Sequence, residues 1–371
     1  MHFNLIILIY INKNIFRQFL SMKIKVNKLV ATFDKYKIDG LLVTSDNNIR
    51  YLTGFSSHES WLFISRKGSF YITDSRYYVE AKSNLKQCSV ICFKESKYKT
   101  VFEIAKKSNA KAIGIDENAL TLFEYNNLQK NKQKSVKLIK STGFVESLRV
   151  VKDPLELKCI KEALKIQKKA FVYLRRIIRP GVTEKEVFYK LENYVKNKGA
   201  GFSFNPIIAS GQNSTCPHAG LTARKINKND VVLVDFGIDV KGYKSDLTRM
   251  FFLGRISNPM KDIFDSVRDA QRSAIEMIKP GISVASIDKQ ARNCLSKKKL
   301  DRYFTHALGH GVGLDIHEAP RLSQKDSTIL KEGMVITIEP AVYIPGQFGI
   351  RIEDMIYITK NGCEVLSDDI N

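Results

Sequence analysis

The 371-residue sequence has one tryptophan, six histidines and no CxxC pair. Its six cysteines, at 88, 92, 159, 216, 294 and 363, show no zinc-like spacing, which excludes a zinc ribbon or a CxxC redox centre. Cys88 and Cys92 fall on an expected strand, where a four-residue offset is roughly 13 Å and too far to bridge. Free thiols imply a reducing compartment, so a cytoplasmic protein is expected. Long apolar runs are also lacking. The apolar run from Leu5 to Ile11 is broken by Asn12 and Lys13, far short of the roughly 20 residues that cross a bilayer. No basic leader with a small-residue cleavage site is visible. No membrane partner is expected, and residues 1–21 read as an extension before a second start at Met22. Acidic residues are scarce, 38 against 60 Lys and Arg, for a net charge of +22. That excess invites a nucleic-acid reading, but the lysines are spread along the chain. The clusters at 130–137 and 296–299 lack interleaved aromatics, so no specific nucleic acid is expected.

What is present is enough for two domains, with 44% apolar and 10% aromatic residues. From 22 to 145 short apolar runs alternate with helical periods. Residues 38–45, 60–65, 69–74, 89–94 and 111–116 read as strands, the second and third as a hairpin about Lys67-Gly68. This is a small α/β domain with no nucleophile–base pair and no phosphate loop. His58 reads as a surface residue and Trp61 as a half-buried one. Residues 141–154 form a linker to a second domain, 146–371. Asp153-Pro154 opens a long amphipathic helix that stops at Arg179-Pro180-Gly181, and Thr183 with Glu186 forms a capping box for the next.

That design recurs. A second long helix over 262–279 ends in Lys279-Pro280-Gly281, and each helix pair leads into an apolar β segment, 231–253 and 334–359. Matched features are offset by 100 residues (Pro180 and Pro280), 104 (Asp235 and Glu339) and 107 (Asp246 and Glu353). The second domain is therefore expected to be an internal duplication about a pseudo-two-fold axis.

The second half also carries YFTHALGHGVGLDIHEAP over 303–320, with His306, His310 and His317. Its glycines would let the backbone pass close to a ligand. Each β segment contributes two acids, Asp235 with Asp246 and Glu339 with Glu353. A carboxylate on an apolar strand is costly unless a cation compensates it, and four of them call for two divalent ions. Four carboxylates and one imidazole, His310, favour Mn²⁺ or a similar ion over a thiolate-type zinc site. Such a pair can polarise a water into a nucleophile at neutral pH. Asp239 and Asp354 are assigned to turns or supporting contacts.

With VDFG, SDLTR, HALGHGVGLDIHE, IEP and RIED in this order, the chain resembles the pita-bread metallopeptidases (M24), the group of methionine aminopeptidase, aminopeptidase P and prolidase. The resemblance covers 22–371. It implies an α/β (α+β) protein: a small creatinase-type N-terminal domain and a C-terminal pita-bread domain with a pseudo-two-fold repeat. It makes Asp235, Asp246, His310, Glu339 and Glu353 the ligands of two metal ions, with Asp246 and Glu353 shared and a bridging hydroxide as nucleophile. Mn²⁺ is expected, with Co²⁺ or Zn²⁺ as alternatives. Glu339 becomes the proton shuttle, and His218, in CPHAG, an oxyanion donor. His306, His317 and Arg351 line the side that receives the proline, with His317 also counted as catalytic. The resemblance further implies a homodimer, for which Trp61 is the candidate contact.

His306, Arg351 and the N-terminal domain point away from methionine aminopeptidase, and the intact ligands point away from creatinase. Aminopeptidase P, acting on peptides with proline at the second position, is the preferred reading, and prolidase, an Xaa-Pro dipeptidase, is the alternative. A non-catalytic peptide- or nucleic-acid-binding module is the reading from a different class.

Overall fold

The structure, a computed structural model, describes residues 22–368, so the reading of 1–21 as an extension lies outside the described residues. The chain forms two compact units, and the division falls between Arg149 and Val150. In the first unit a six-stranded sheet runs in the order Ser89–Cys92, Gly68–Thr73, Trp61–Ser65, Gly40–Val43, Ala112–Ile115, Lys137–Lys140. The expected hairpin is present, with Trp61 opposite Ile72 and Ser65 opposite Gly68. The outer strand pairs on each side are parallel. They are linked by helices such as Lys97–Lys107, whose Val101, Ile104 and Ala105 pack on the sheet.

Trp61 departs from expectation. It is 3% exposed, edge-on to Tyr98, with the Lys97 ammonium 4.4 Å above its ring. It is a core residue of its own unit, and a contact through it to a second subunit is withdrawn. His58 is exposed, as read.

The second unit shows the duplication directly. In the first half Val231–Phe236 lies between Ile207–Ser210 and Leu247–Phe252, and the short hairpin Ile238–Val240 with Tyr243–Lys244 folds away from it. In the second half Val335–Ile338 pairs with Asp354–Ile358, and the hairpin Ala341–Ile344 with Phe348–Arg351 folds away in the same sense. The first-half hairpin closes on Lys241 and Gly242, both with positive φ (56° and 88°), as a two-residue turn of primed type requires. The long helices are Pro154–Ile177 and Asn258–Glu276. The second starts four residues earlier than its apolar period, because Ser257 accepts from the Met260 N–H and Pro259 is tolerated in the first turn. The capping boxes at Asp153/Glu156 and Thr183/Glu186 are both formed.

Each long helix also points one buried glutamine at the sheet. Gln167 donates to the carbonyl of Phe236, the residue after Asp235. Gln271 donates to the carbonyls of Ile338 (3.1 Å) and Ile352 (3.2 Å) and to Asp354 Oδ2 (3.0 Å). Ile338 and Ile352 immediately precede Glu339 and Glu353. These carbonyls lie at or just past the strand ends where the chain leaves one sheet for the next, and the two amides bind the helices to those ends.

The glycines flanking His310 answer a different need from the one expected. A Cβ on Gly309 would stand 2.0 Å from the Thr337 carbonyl oxygen, and one on Gly311 2.3 Å from that of Ala319. They let this strand squeeze between its two neighbours rather than let a ligand approach the backbone. Gln271→Leu, similar in size, would remove the buried hydrogen bonds to Ile338, Ile352 and Asp354, and a loss of roughly 2–4 kcal/mol is expected. Urea unfolding followed in the C-terminal unit measures it, and a midpoint equal to wild type would deny the glutamine this role.

Candidate metal centre and peptide cavity

Three of the four acids sit at breaks between strands rather than within them. Asp235 is inside Val231–Phe236. Asp246 precedes Leu247, Glu339 follows Ile338, and Glu353 lies between Arg351 and Asp354. A break lets the backbone turn from one sheet to the other and aims the side chain at the seam where the two halves meet. His310 arrives from the third direction, on Gly309–Gly311, next to Val335–Ile338.

The five side chains converge. His310 Nε2 lies 3.3 Å from Glu339 Oε1 and 3.6 Å from Asp246 Oδ2. Donor atoms of Asp246, His310 and Glu353 all fall within 4.8 Å of one another. His310 Nδ1 donates to the Gly311 carbonyl at 3.0 Å, which turns the lone pair of Nε2 toward the carboxylates. Asp235, Asp246 and Glu353 are 8%, 4% and 1% exposed. One oxygen of each is buried with no hydrogen-bond partner among the described residues. Three orphaned carboxylate oxygens in a buried cluster that also holds an imidazole are a poor arrangement for a protein alone and a good one for hard or borderline divalent cations. The residues fit such ions.

Without an ion the cluster must hold protons. Burial, then the neighbouring acids, push Asp246 and Glu353 well above the usual carboxylate range. Burial also raises Asp235, against the opposing Arg351 guanidinium. Burial alone would lower His310, but its hydrogen bond to Glu339 and the charges of Glu339 and Asp246 outweigh that and carry it to about 9. Glu339 moves the other way; His310 more than offsets its burial and holds it below the ordinary value.

Around this centre lies a cavity of about 1420 Å³ that includes His218, His306 and His317 on its walls. His317 stands edge-on to His310, ring centres 4.2 Å apart. His218 is exposed on the loop after Gly211–Thr215. His306 Nε2 meets the Tyr343 hydroxyl at 3.2 Å. Burial lowers the pKa of His306, and burial with the charge of His310 lowers that of His317, so both are neutral at pH 7.

Arg351 also borders the cavity, but its donors are already engaged. They reach Asp235 Oδ2 (2.5 Å), the Tyr343 hydroxyl (2.5 Å), Thr248 Oγ1 (3.1 Å) and the Pro217 carbonyl (3.2 Å). Arg351 therefore orients Asp235 as well as bordering the cavity. Thr248 and Tyr343 escaped the sequence reading. Thr248 is paired with Asp235 across the strands and donates to Glu353 Oε2 at 2.9 Å. It lay in view two residues after Asp246, on the same face of the strand. Tyr343 sits in an apolar hairpin that carried no such signal. Asp239 and Asp354 take the supporting roles expected: Asp239 accepts from Gly242 N–H and pairs with Lys244, and Asp354 pairs with Arg249.

This arrangement has counterparts in known proteins. Residues 158–360 match Metallopeptidase family M24, and residues 25–151 match the Creatinase/Prolidase N-terminal domain. The chain belongs to metallopeptidase family M24. Within that family it is 36% identical to the Xaa-Pro dipeptidase of Pyrococcus horikoshii, over 93% of this chain and 97% of that one. Among solved structures, the Xaa-Pro dipeptidase from Bacillus anthracis superposes with a TM-score of 0.91 at 36% identity, covering 94% of this chain and 98% of the other. The X-Pro aminopeptidase from Thermotoga maritima gives 0.83 at 32%, covering 91% and 97%. The protein is thus an enzyme, a metallopeptidase of two domains, and among the described residues no helix is long and apolar enough to cross a membrane.

A divalent ion must displace the protons of His310, Asp246 and Glu353. Mn²⁺ affinity should therefore rise from pH 6 toward 9, with proton release on binding. Calorimetry in buffers of different ionisation enthalpy reads both, and affinity independent of pH would contradict the proton count. Glu353→Gln removes an acid that the metal-free fold must either protonate or bury as a charge, while keeping an acceptor for Thr248. At pH 8 it should stabilise the metal-free protein by about 1–3 kcal/mol and reduce the stabilisation that Mn²⁺ confers. A less stable metal-free variant would count against charge repulsion at the centre.

Proposed function

We propose that the protein is an Xaa-Pro aminopeptidase, releasing the first residue of peptides with proline in the second position. The observation that carries this is the size of the cavity. At about 1420 Å³ it exceeds the roughly 300–1,000 Å³ that encloses a drug-sized ligand, so a chain longer than a dipeptide has room. The binding-module reading leaves the orphaned carboxylates without a purpose.

Asp235, Asp246, His310, Glu339 and Glu353 would hold two divalent ions, Mn²⁺ foremost, with Co²⁺ or Zn²⁺ as alternatives. Bound there, two such ions supply Lewis-acid polarisation of the scissile carbonyl and a water acidic enough to attack at neutral pH. Glu339 is the proton carrier: it is only half-buried, and its depressed pKa keeps it ionised to take a proton from the attacking water. The bond from carbonyl carbon to proline nitrogen then breaks. That nitrogen bears no hydrogen in the peptide, so it leaves only when Glu339 returns the proton to it. His218, on the open wall, donates to the carbonyl oxygen as negative charge develops. His306 and His317, both neutral, bound the space for the proline ring and the residue after it. His317 also stands beside the reacting centre, and Arg351 steadies Asp235.

A dipeptidase is the second reading, favoured by the relatives' names and by Arg321. Arg321 pairs directly with His310 across the strands, so its side chain lies on the cavity face, where a guanidinium can take the free carboxylate of an Xaa-Pro dipeptide. A cytoplasmic homodimer also belongs to this proposal, supported by free thiols and by the exposed Val79, Leu122 and Phe123 of the first unit; light scattering gives the mass.

The specificity is decided by mass analysis of products from a Gly-Pro dipeptide and a Gly-Pro-Ala-Ala tetrapeptide with Mn²⁺. Release of glycine from the tetrapeptide is the expected result. Cleavage of the dipeptide alone, weakened at least tenfold in kcat/KM by Arg321→Ala, would establish the dipeptidase instead.

A further inference from the structure

Glu184 is fully buried, yet it belongs to neither the metal centre nor the cavity wall. It begins the helix Glu184–Lys196, and its carboxylate gathers both ends of the loop that carries His218. From the near end it accepts the Ser210 N–H and Ser210 Oγ–H, each at 2.7 Å on Oε1. From the far end it accepts the Thr222 Oγ1–H at 2.5 Å and the Thr222 N–H at 3.3 Å on Oε2. The Asn213 amide bridges its two oxygens at 3.1 and 3.2 Å. Arg224, paired with Asp230, donates to Ser210 Oγ at 2.6 Å and closes the cluster.

The middle of the loop is docked on the hairpin of Arg351. Ser214 Oγ accepts the Gly349 N–H at 2.8 Å, and a Cβ at Gly349 would stand 2.0 Å from the Ser214 carbonyl oxygen. The Pro217 carbonyl accepts from Arg351. His218 comes directly after it with an exposed side chain, so its place depends on how firmly the backbone is held.

The second half repeats the device. Asp288, also fully buried on the second helix of its half, accepts the Leu308 N–H at 3.1 Å and pairs with Arg292. Arg292 in turn donates to the carbonyls of Phe304 (2.8 Å) and His306 (2.5 Å). In both halves a carboxylate behind the cavity ties down the segment that presents a histidine to it.

We propose that Glu184 is a positioning residue for His218, holding the 210–222 loop so that the imidazole meets the peptide carbonyl in the reacting geometry. The inference rests on the role given to His218 above. Charge-assisted bonds are about twice as strong as neutral ones, and a displacement of about 1 Å in a reacting group costs on the order of a hundredfold in rate. Gln at 184 would turn one acceptor oxygen into a donor facing N–H or O–H donors, and the loop would loosen.

The test is Glu184→Gln, with Thr222→Val as a second variant that removes the half-buried hydroxyl joining Glu184, Asn213 and the Arg224 N–H. Three readouts are taken: steady-state kinetics on Gly-Pro-Ala-Ala, Mn²⁺ bound per chain, and amide hydrogen exchange. Glu184→Gln should lower kcat about 10- to 100-fold with KM within about threefold. Exchange over 211–222 should quicken at least tenfold, while 231–252 and Mn²⁺ content stay as in wild type. Thr222→Val should shift kcat in the same direction by a smaller factor, and it decides alone if Glu184→Gln does not fold. Unchanged kcat, or kcat lost in step with Mn²⁺, overturns the proposal. His218→Ala separates the two failures. If it is slow while both loop variants are normal, only the positioning role falls. If it matches wild type, the role of His218 falls with it.

Discussion

Four carboxylates directed at one buried point are the constraint on which the rest of this structure depends. In water each would be solvated; here three have an oxygen with no partner among the described residues, and proximity sets them against one another. A protein can tolerate that in two ways, by holding protons or by holding cations. The elevated pKa values of Asp246, Glu353 and His310 describe the first state, and the donor set describes the second. The site stores repulsion that bound metal releases, so stability and function pull against each other here.

The fold is organised to hold this repulsion in place. Two copies of a helix–helix–hairpin unit meet at a seam, and the strand breaks on either side of it aim the acids inward. The buried glutamines of the long helices donate to carbonyls beside the acids and fix the helices to these strand ends. Behind the cavity, Glu184 and Asp288 anchor the irregular segments that regular structure does not reach. Several of the buried polar side chains of this domain thus serve the backbone at strand ends and in loops.

Much of this was legible in the sequence because of the repeat. Single acids on apolar strands mean little, but Asp235 with Asp246 and Glu339 with Glu353, at matched offsets, determined one another's meaning. Helix starts were legible where a capping box announced them, as at Thr183 and Glu186. What escaped was set by tertiary packing. Trp61, expected to be half-buried, is covered by Tyr98 and Lys97 from far along the chain. Gly309 and Gly311 serve the crowding of three strands, which local sequence does not encode. The partners of Arg351 come from four separate segments, so its second role as a strut for Asp235 could not be read from RIED alone.

The central claim is that five side chains form a site for two divalent ions. Equilibrium dialysis of chelator-treated protein against Mn²⁺, with metal and protein quantified in the same sample, tests it most directly. Saturation at two ions per chain is the predicted result, with both lost in Asp246→Asn, because that residue stands beside both the imidazole of His310 and Glu353. Saturation at one ion or none in the wild-type protein would contradict it.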